Sequence, residues 1–173
     1  MKNKGRVFWI TGLSGSGKST IANLIIKDVN KKYGNTMLIH GDDIRNIYNL
    51  KSYEKKDRLK IAKSNSNLCK LITNQGINVV FTTVGLIHEL HTYNRKNIKN
   101  YTEIFIKSNM RDLIKKKNKR FYKYKTKNVW GLDIKPEFPK KPDIILNNNF
   151  KFSMKNLGLI LLKKLSKKID FKI

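Results

Sequence analysis

Eight residues constrain this chain more than any others: Gly12-Leu13-Ser14-Gly15-Ser16-Gly17-Lys18-Ser19. They satisfy the spacing G-x-x-x-x-G-K-[ST] and lie between a β-branched and aromatic run, Val7 to Thr11, and an apolar pattern of helical period that begins at Lys18. Such a stretch folds as strand, tight turn and helix. The glycines let the backbone curl until successive N–H groups point inward, and the following helix adds its positive end, so the turn is suited to phosphate oxygens. The candidate nucleotide contacts are therefore Gly12, Ser14, Gly15, Ser16, Gly17, Lys18, Ser19 and Thr20. Lys18 is expected to reach the β- and γ-phosphates of ATP, and the Ser19 hydroxyl to ligate a Mg²⁺ ion bridging them.

The rest of the chain repeats the same rhythm. Strands are predicted at Val7 to Thr11, Met37 to His40, Ile77 to Thr83, Glu103 to Lys107 and Asp143 to Leu146. Lys18 to Lys32 reads as a helix with Ile21, Leu24, Ile25 and Val29 on one face, and Lys56 to Asn74 as another with Leu59, Ala62, Cys69 and Ile72 in a stripe. Further helices are expected after Gly85, over Asn109 to Lys117 and over Ser153 to Ile169. Alternating strands and helices predict an α/β fold: a mostly parallel five-stranded sheet, helices on both faces, ligands at the carboxyl ends of the strands. At 173 residues and 39% hydrophobic content, one domain spanning 1–173 is expected. The segment 118–142 breaks the rhythm with cations, aromatics and all three prolines, and is read as part of an active-site lid over about 115–142.

The charge is lopsided, with 38 Lys+Arg against 12 Asp+Glu and a net +26. The lysines are spread along the chain beside 20 asparagines, the pattern that A/T-rich codons produce, so composition alone does not require an anionic partner. One cysteine, Cys69, excludes an intramolecular disulfide and is read as a small core residue. His40, His88 and His91 lack the company of a metal site, and His88 and His91 are expected at the surface. No run reaches signal-peptide or membrane-spanning length, so a cytoplasmic protein without membrane contact is expected.

Phosphate-binding turns serve switches, motors and small-molecule kinases. No Asn/Thr-Lys-x-Asp guanine motif is present, and the third strand ends in hydroxyls, Thr82-Thr83, where a motor would carry an acid. The acid instead follows the second strand, in His40-Gly41-Asp42-Asp43-Ile44-Arg45. A carboxylate there can take a proton from a substrate hydroxyl, and an arginine one turn on can hold an anionic part of the same substrate. That pattern points to a kinase; the competing reading is that Asp42 or Asp43 merely caps the next helix.

Phe8-Trp9-Ile10-Thr11 with the phosphate loop, Gly41-Asp42-Asp43-Ile44-Arg45, Tyr53 with Asp57-Arg58, Lys119-Arg120-Phe121-Tyr122 and the run from Gly131 to Pro142 together resemble the adenylyl-sulfate kinase family. The resemblance implies a P-loop kinase fold, MgATP as phosphoryl donor, a small nucleotide as acceptor, transfer to a ribose 3′-hydroxyl and a homodimer. It also implies roles. Asp42 would orient and deprotonate the 3′-hydroxyl, Arg45 and Arg58 would grip the 5′ anionic group, Tyr53 would stack on the base, and Lys119 would sit near the transferring phosphoryl group. Val84, Gly85 and Trp130 complete the predicted acceptor set.

This chain departs from the family pattern at His40, which replaces an aspartate, at Ile61 and Lys63, which replace an asparagine and an arginine, and at Gly85-Leu86, which replace a serine-proline pair. With its acceptor side altered in this way, the chain resembles the cytidine diphosphoramidate kinases of bacterial capsule pathways, with adenylyl sulfate as the alternative acceptor. RNA binding or polynucleotide 5′-kinase activity is the competing class, carried by Lys115 to Lys127 with eight Lys/Arg, no acid and interleaved aromatics. The lid reading of that segment is preferred, with no nucleic-acid partner.

Overall fold

A computed structural model describes residues 4–117 and 127–170. The strands are β1 (Val7–Thr11), β2 (Thr36–His40), β3 (Asn78–Thr82), β4 (Tyr101–Lys107) and β5 (Ile144–Asn147). They form one five-stranded sheet in the order β2-β3-β1-β4-β5, and every pairing is parallel. The helices are α1 (Lys18–Tyr33), α2 (Gly41–Ile47), α3 (Lys55–Asn74), α4 (His88–Asn97), α5 (Met110–Lys117) and α6 (Met154–Asp170). Strand and helix limits fall within a residue or two of those read from periodicity. The exceptions are α2, a helix of seven residues too short to show a period, and the start of α4, which Leu86 and Ile87 delay to His88.

The central strand shows why two layers of helix are needed. All five residues of β1 are buried, and alternation sends Val7 and Trp9 to one face, Phe8 and Ile10 to the other. On the Phe8 side, Ile21, Ile25 and Val29 of α1 and Leu157, Leu161 and Leu165 of α6 close the core. On the Trp9 side, Ala62 and Cys69 of α3, Leu90 of α4 and Leu113 of α5 do so, with Trp9 stacked on Phe81 at 4.6 Å between ring centroids. Burial pushes the Cys69 thiol up to about 12, so it stays protonated and inert in the folded protein.

Two expectations are corrected. Leu24 lies 45% exposed, because Gly158 of α6 approaches its Cβ and carries no side chain to cover it. His91 is buried at 6% exposure, with Nδ1 2.6 Å from Oε1 of Glu103. Glu103 lies inside β4 at 1% exposure, and a buried carboxylate requires partners, which His91 and Arg95 (3.0 Å to Oε2) provide. Burial raises the Glu103 carboxyl, but His91 and Arg95 outweigh it and hold the group below the ordinary range. The stabilisation is therefore fully present above the unfolded carboxylate's pKa and fades as pH falls through the lower folded value.

Candidate active site

The turn between β1 and α1 is shaped by backbone. Gly12 and Gly17 hold φ of 150° and 96°, and neither position tolerates a side chain. A Cβ on Gly12 would lie 2.5 Å from the Ile106 carbonyl oxygen, and one on Gly17 would lie 2.2 Å from Cε of Met154. The Ser16 N–H donates to the Leu13 carbonyl at 3.1 Å, and Asn148 Nδ2 donates to the Ser16 carbonyl at 2.9 Å, tying the loop to the chain beyond β5. Lys18 Nζ folds back over the loop, donating to the carbonyls of Gly12 at 3.0 Å and Leu13 at 2.8 Å. Ser16 Oγ is buried without a hydrogen-bond partner among the described residues, and Ser19 and Thr20 are exposed in the first turn of α1.

Beside this loop, at the carboxyl ends of β1, β2 and β3, opens a cleft of about 500 Å³. It brings together Ser14 of the loop, Asp42 and Arg45 of α2, and Tyr53 with Arg58 at the start of α3. Val84 and Gly85 beyond β3 and Trp130 from the far side complete the predicted acceptor set on its walls. Gly15 to Thr20 do not line this cleft. Lys119 lies outside the described residues, as does 118–126 of the expected lid, which holds most of the basic run weighed above as a nucleic-acid surface.

Asp42 is exposed and does not cap α2. The N-cap position belongs to His40, no side chain caps the helix, and both aspartates sit within the first turn, where the helix end favours negative charge. The His40 ring contacts Thr82 Oγ1 at 2.8 Å and Asn23 Oδ1 at 3.3 Å, so it ties the ends of β2 and β3 to α1. Gly41 must be small, since a Cβ there would meet the Thr82 carbonyl oxygen at 3.1 Å.

The arginines do more than their predicted roles require. Arg45 Nη1 donates to the carbonyls of Leu50 and Ser52 at 2.5 and 2.9 Å, fixing the segment that leads to Tyr53. Arg58 donates through Nε to the Tyr53 carbonyl at 2.6 Å and through Nη2 to the carbonyl of Asn128, joining α3 to the far wall. Both guanidinium groups lie over the Tyr53 ring, at 4.5 and 5.0 Å from its centroid, and Arg58 also lies 5.6 Å from that of Trp130. Tyr53 is thus 49% exposed yet already stacked on cations, a state that its identity as a flat ring did not foretell. Burial, with Arg45 nearby, lowers the Arg58 pKa.

Two supports lie behind the cleft. Asp133 accepts from the N–H groups of Asn128 and Val129 at 2.5 Å each and folds the 128–134 turn that presents Trp130. Glu137 accepts from Lys55 Nζ and from the His88 N–H at 2.7 Å, fastening the arm after that turn to the starts of α3 and α4. Sequence reasoning also left out Ala62, Asn65, Thr83 and Ile87 as cleft walls. The signal for the two on α3 was present: Arg58, Ile61, Ala62 and Asn65 recur at i, i+3, i+4 and i+7 on one face of that helix. Lys63, off that stripe, pairs with Glu89 at 2.5 Å.

The Adenylylsulphate kinase family model matches residues 4–147, which takes in the loop, the cleft and all five strands. The chain belongs to the adenylylsulphate kinase family. Among relatives of this family, the cytidine diphosphoramidate kinase of Campylobacter jejuni is 34% identical over 170 residues, covering 96% of this chain and 99% of that one. The adenylyl-sulfate kinase of Clostridium acetobutylicum is 34% identical over 152 residues, covering 83% and 75%. The fold matches the Mycobacterium tuberculosis APS kinase CysC in complex with AMPPNP and APS, with a TM-score of 0.83 at 24% identity over 94% of this chain and 98% of that one. The protein is accordingly a nucleotide kinase of α/β P-loop architecture. Among the described residues no helix is long and apolar enough to cross a membrane.

Proposed function

We propose that this kinase transfers the terminal phosphoryl group of ATP to the ribose 3′-hydroxyl of cytidine diphosphoramidate. The observation that carries the reading is the cleft itself, where the phosphate loop, through Ser14, shares one cavity with a carboxylate, two arginines and an aromatic pair. Donor phosphates and acceptor sugar can therefore meet within it. The near full-length likeness to a cytidine diphosphoramidate kinase supports the finer choice of acceptor. So does Ile61, which leaves an apolar surface on the cleft wall where adenylyl-sulfate kinases resembled by this chain have an asparagine.

The residues present fit a triphosphate. Positive-φ glycines curl the loop, Ser16 Oγ is buried and unpartnered among the described residues, and Lys18 Nζ already bonds to the loop carbonyls of Gly12 and Leu13. Ser19, at the start of α1, is the hydroxyl that would hold Mg²⁺, whose charge offsets that of the phosphates. Lys18 holds the γ-phosphate in place and balances charge as the bond to the bridging oxygen breaks and ADP departs. Asp42 orients the 3′-hydroxyl and accepts its proton as the new P–O bond forms. Arg45 and Arg58 hold the 5′ anionic group while Tyr53 and Trp130 flank the base, and Lys119 adds positive charge from the lid. Closure of the lid excludes water that would otherwise compete for the phosphoryl group. The functional unit is a homodimer of one-domain chains, a point that sedimentation would overturn by giving a monomer.

The deciding experiment is phosphate transfer from ATP with cytidine diphosphoramidate and adenylyl sulfate as rival acceptors. Higher kcat/KM with the cytidine compound is expected. Preference for adenylyl sulfate would restore the older acceptor, and transfer to neither would remove the reaction.

A further inference from the structure

Four asparagines are buried among the described residues: Asn65, Asn78, Asn94 and Asn148. Three of them are structural, with both ends of the amide engaged. Asn78 donates to the Tyr33 carbonyl at 2.8 Å and accepts from the Arg6 N–H at 2.8 Å. Asn94 accepts from Ser66 Oγ at 2.6 Å and donates to the Tyr101 hydroxyl at 3.2 Å. Asn148 donates to the Ser16 carbonyl at 2.9 Å and accepts from the Phe150 N–H at 3.0 Å. Asn65 is 7% exposed, and among the described residues its amide makes no hydrogen bond within the protein but keeps access to solvent, unlike the buried Ser16 Oγ. It is also the one of the four that lines the cleft.

An amide on a largely buried side chain that the scaffold leaves unbonded can exchange water for the polar edge of a ligand. Asn65 stands one helical turn beyond Ile61 on the stripe of α3 that faces the cleft, and around it the wall is Ile61, Ala62, Val84 and Ile87. Of the charged groups that line the cleft, Arg58 stands about two turns before Asn65 on the same face of α3, and Asp42 and Lys127 are exposed whereas Ala62, Asn65 and Ile87 are buried. A nucleotide distributes its chemistry in the same way: anionic groups and sugar at one end, a flat apolar base with a polar edge at the other.

We propose that Asn65 is a specificity-determining residue whose amide reads the amino-bearing edge of the acceptor's base. Its carbonyl accepts from the exocyclic amine, and its NH₂ donates to the adjacent ring nitrogen, which in cytosine are the 4-amino group and N3. This inference rests on the nucleotide-acceptor reading above and deepens it. It also gives this chain an amide at position 65, one turn along from the position where Ile61 has removed one.

The test is a cycle between protein and ligand, run with AMPPNP saturating the donor site so that only the acceptor site is titrated. Wild-type, Asn65→Leu and Asn65→Ala proteins are titrated with cytidine 5′-diphosphate and with its analogue bearing hydrogen at C4, and binding is followed by calorimetry. Wild-type protein is expected to bind the amino-bearing ligand about 10- to 100-fold more tightly than the analogue. Both variants are expected to lose that preference while binding AMPPNP as before. A wild-type protein indifferent to the amine, or variants that keep the wild-type preference, would overturn the inference; leucine preserves the volume and alanine gives a second chance of a folded variant. Phosphate transfer is read separately. A protein that senses the amine through Asn65 yet phosphorylates neither cytidine diphosphoramidate nor adenylyl sulfate keeps this inference and loses the proposed reaction.

Discussion

The two ends of the site are built by different means. The donor end is a contiguous turn whose shape comes from backbone: left-handed glycines, a lysine bonded to its own loop, and amides that exist whatever the side chains are. The acceptor end is assembled from α2, the segment before α3, the cleft-facing stripe of α3, the loop after β3 and residues 127–130. Its shape depends on side chains, above all on Arg45 and Arg58, which clasp Tyr53 and bind carbonyls of two separate segments. A backbone-built site tolerates no change at its glycines and little drift elsewhere. A side-chain-built site can be rewritten one residue at a time, and the departure from the family pattern at Ile61 is such a change. A family can therefore keep one reaction while its acceptors diverge.

Substitutions at the two ends should separate accordingly. Lys18→Ala should reduce phosphate transfer by about 10⁴-fold with any acceptor, since the lysine balances charge on the group being moved. Retention of even a tenth of the wild-type rate would break the donor half of the comparison. Asp42→Ala should lower kcat by about 10³-fold and leave KM for ATP near the wild-type value. A rise in KM for ATP with kcat intact would mean that the carboxylate serves the donor.

Arg58→Ala removes charge-assisted bonds to two segments and should cost about 10- to 100-fold in kcat/KM for the acceptor, with little change toward ATP. Equal losses toward both substrates would merge the two ends into one unit. Glu137 offers a smaller, pH-dependent probe. Lys55 and the His88 N–H hold its carboxyl below the ordinary range, so the latch it forms should persist down to about pH 4.3, the ordinary value for glutamate, and weaken only as pH falls further. KM for the acceptor should rise a few-fold in that acid window for the wild type, and Glu137→Gln should be flat across it; a rise complete by pH 6 in the wild type would point to another group. Tyr53→Phe should stay within about twofold of wild type, because stacking on guanidinium groups or a base uses the ring face and not the hydroxyl. A tenfold loss in that variant would assign the hydroxyl a contact of its own.

Most of the fold was legible in advance because it rests on local period. The unbroken apolar run of β1 follows from burying both of its faces, and the 3.6-residue stripes of α1, α3 and α6 follow from burying one face of each helix against the sheet. Leu24 was misplaced for a related reason: periodicity says which side of a helix is apolar, but not whether a neighbour arrives to cover it, and at Leu24 the neighbour is Gly158. His91 was misread because its partner, Glu103, lies twelve residues away on a strand and hides a carboxylate within an otherwise apolar run. The donor loop could be located residue by residue, whereas the cleft wall at Thr83 and Ile87, which no helical stripe places, could not.

The amino-acid order by itself determined the phosphate-cradling turn, the strand and helix sequence and the place of the acid after β2, because each depends on residues adjacent in the chain or one helical turn apart. Only the tertiary structure decided which side chains meet across the cleft: that the arginines clasp Tyr53, that Glu137 fastens three segments, and that one buried asparagine faces the cavity unbonded while three others are consumed by the scaffold. Those outcomes depend on distances between segments dozens of residues apart, which hydrophobic burial of the sheet faces sets and no local pattern encodes.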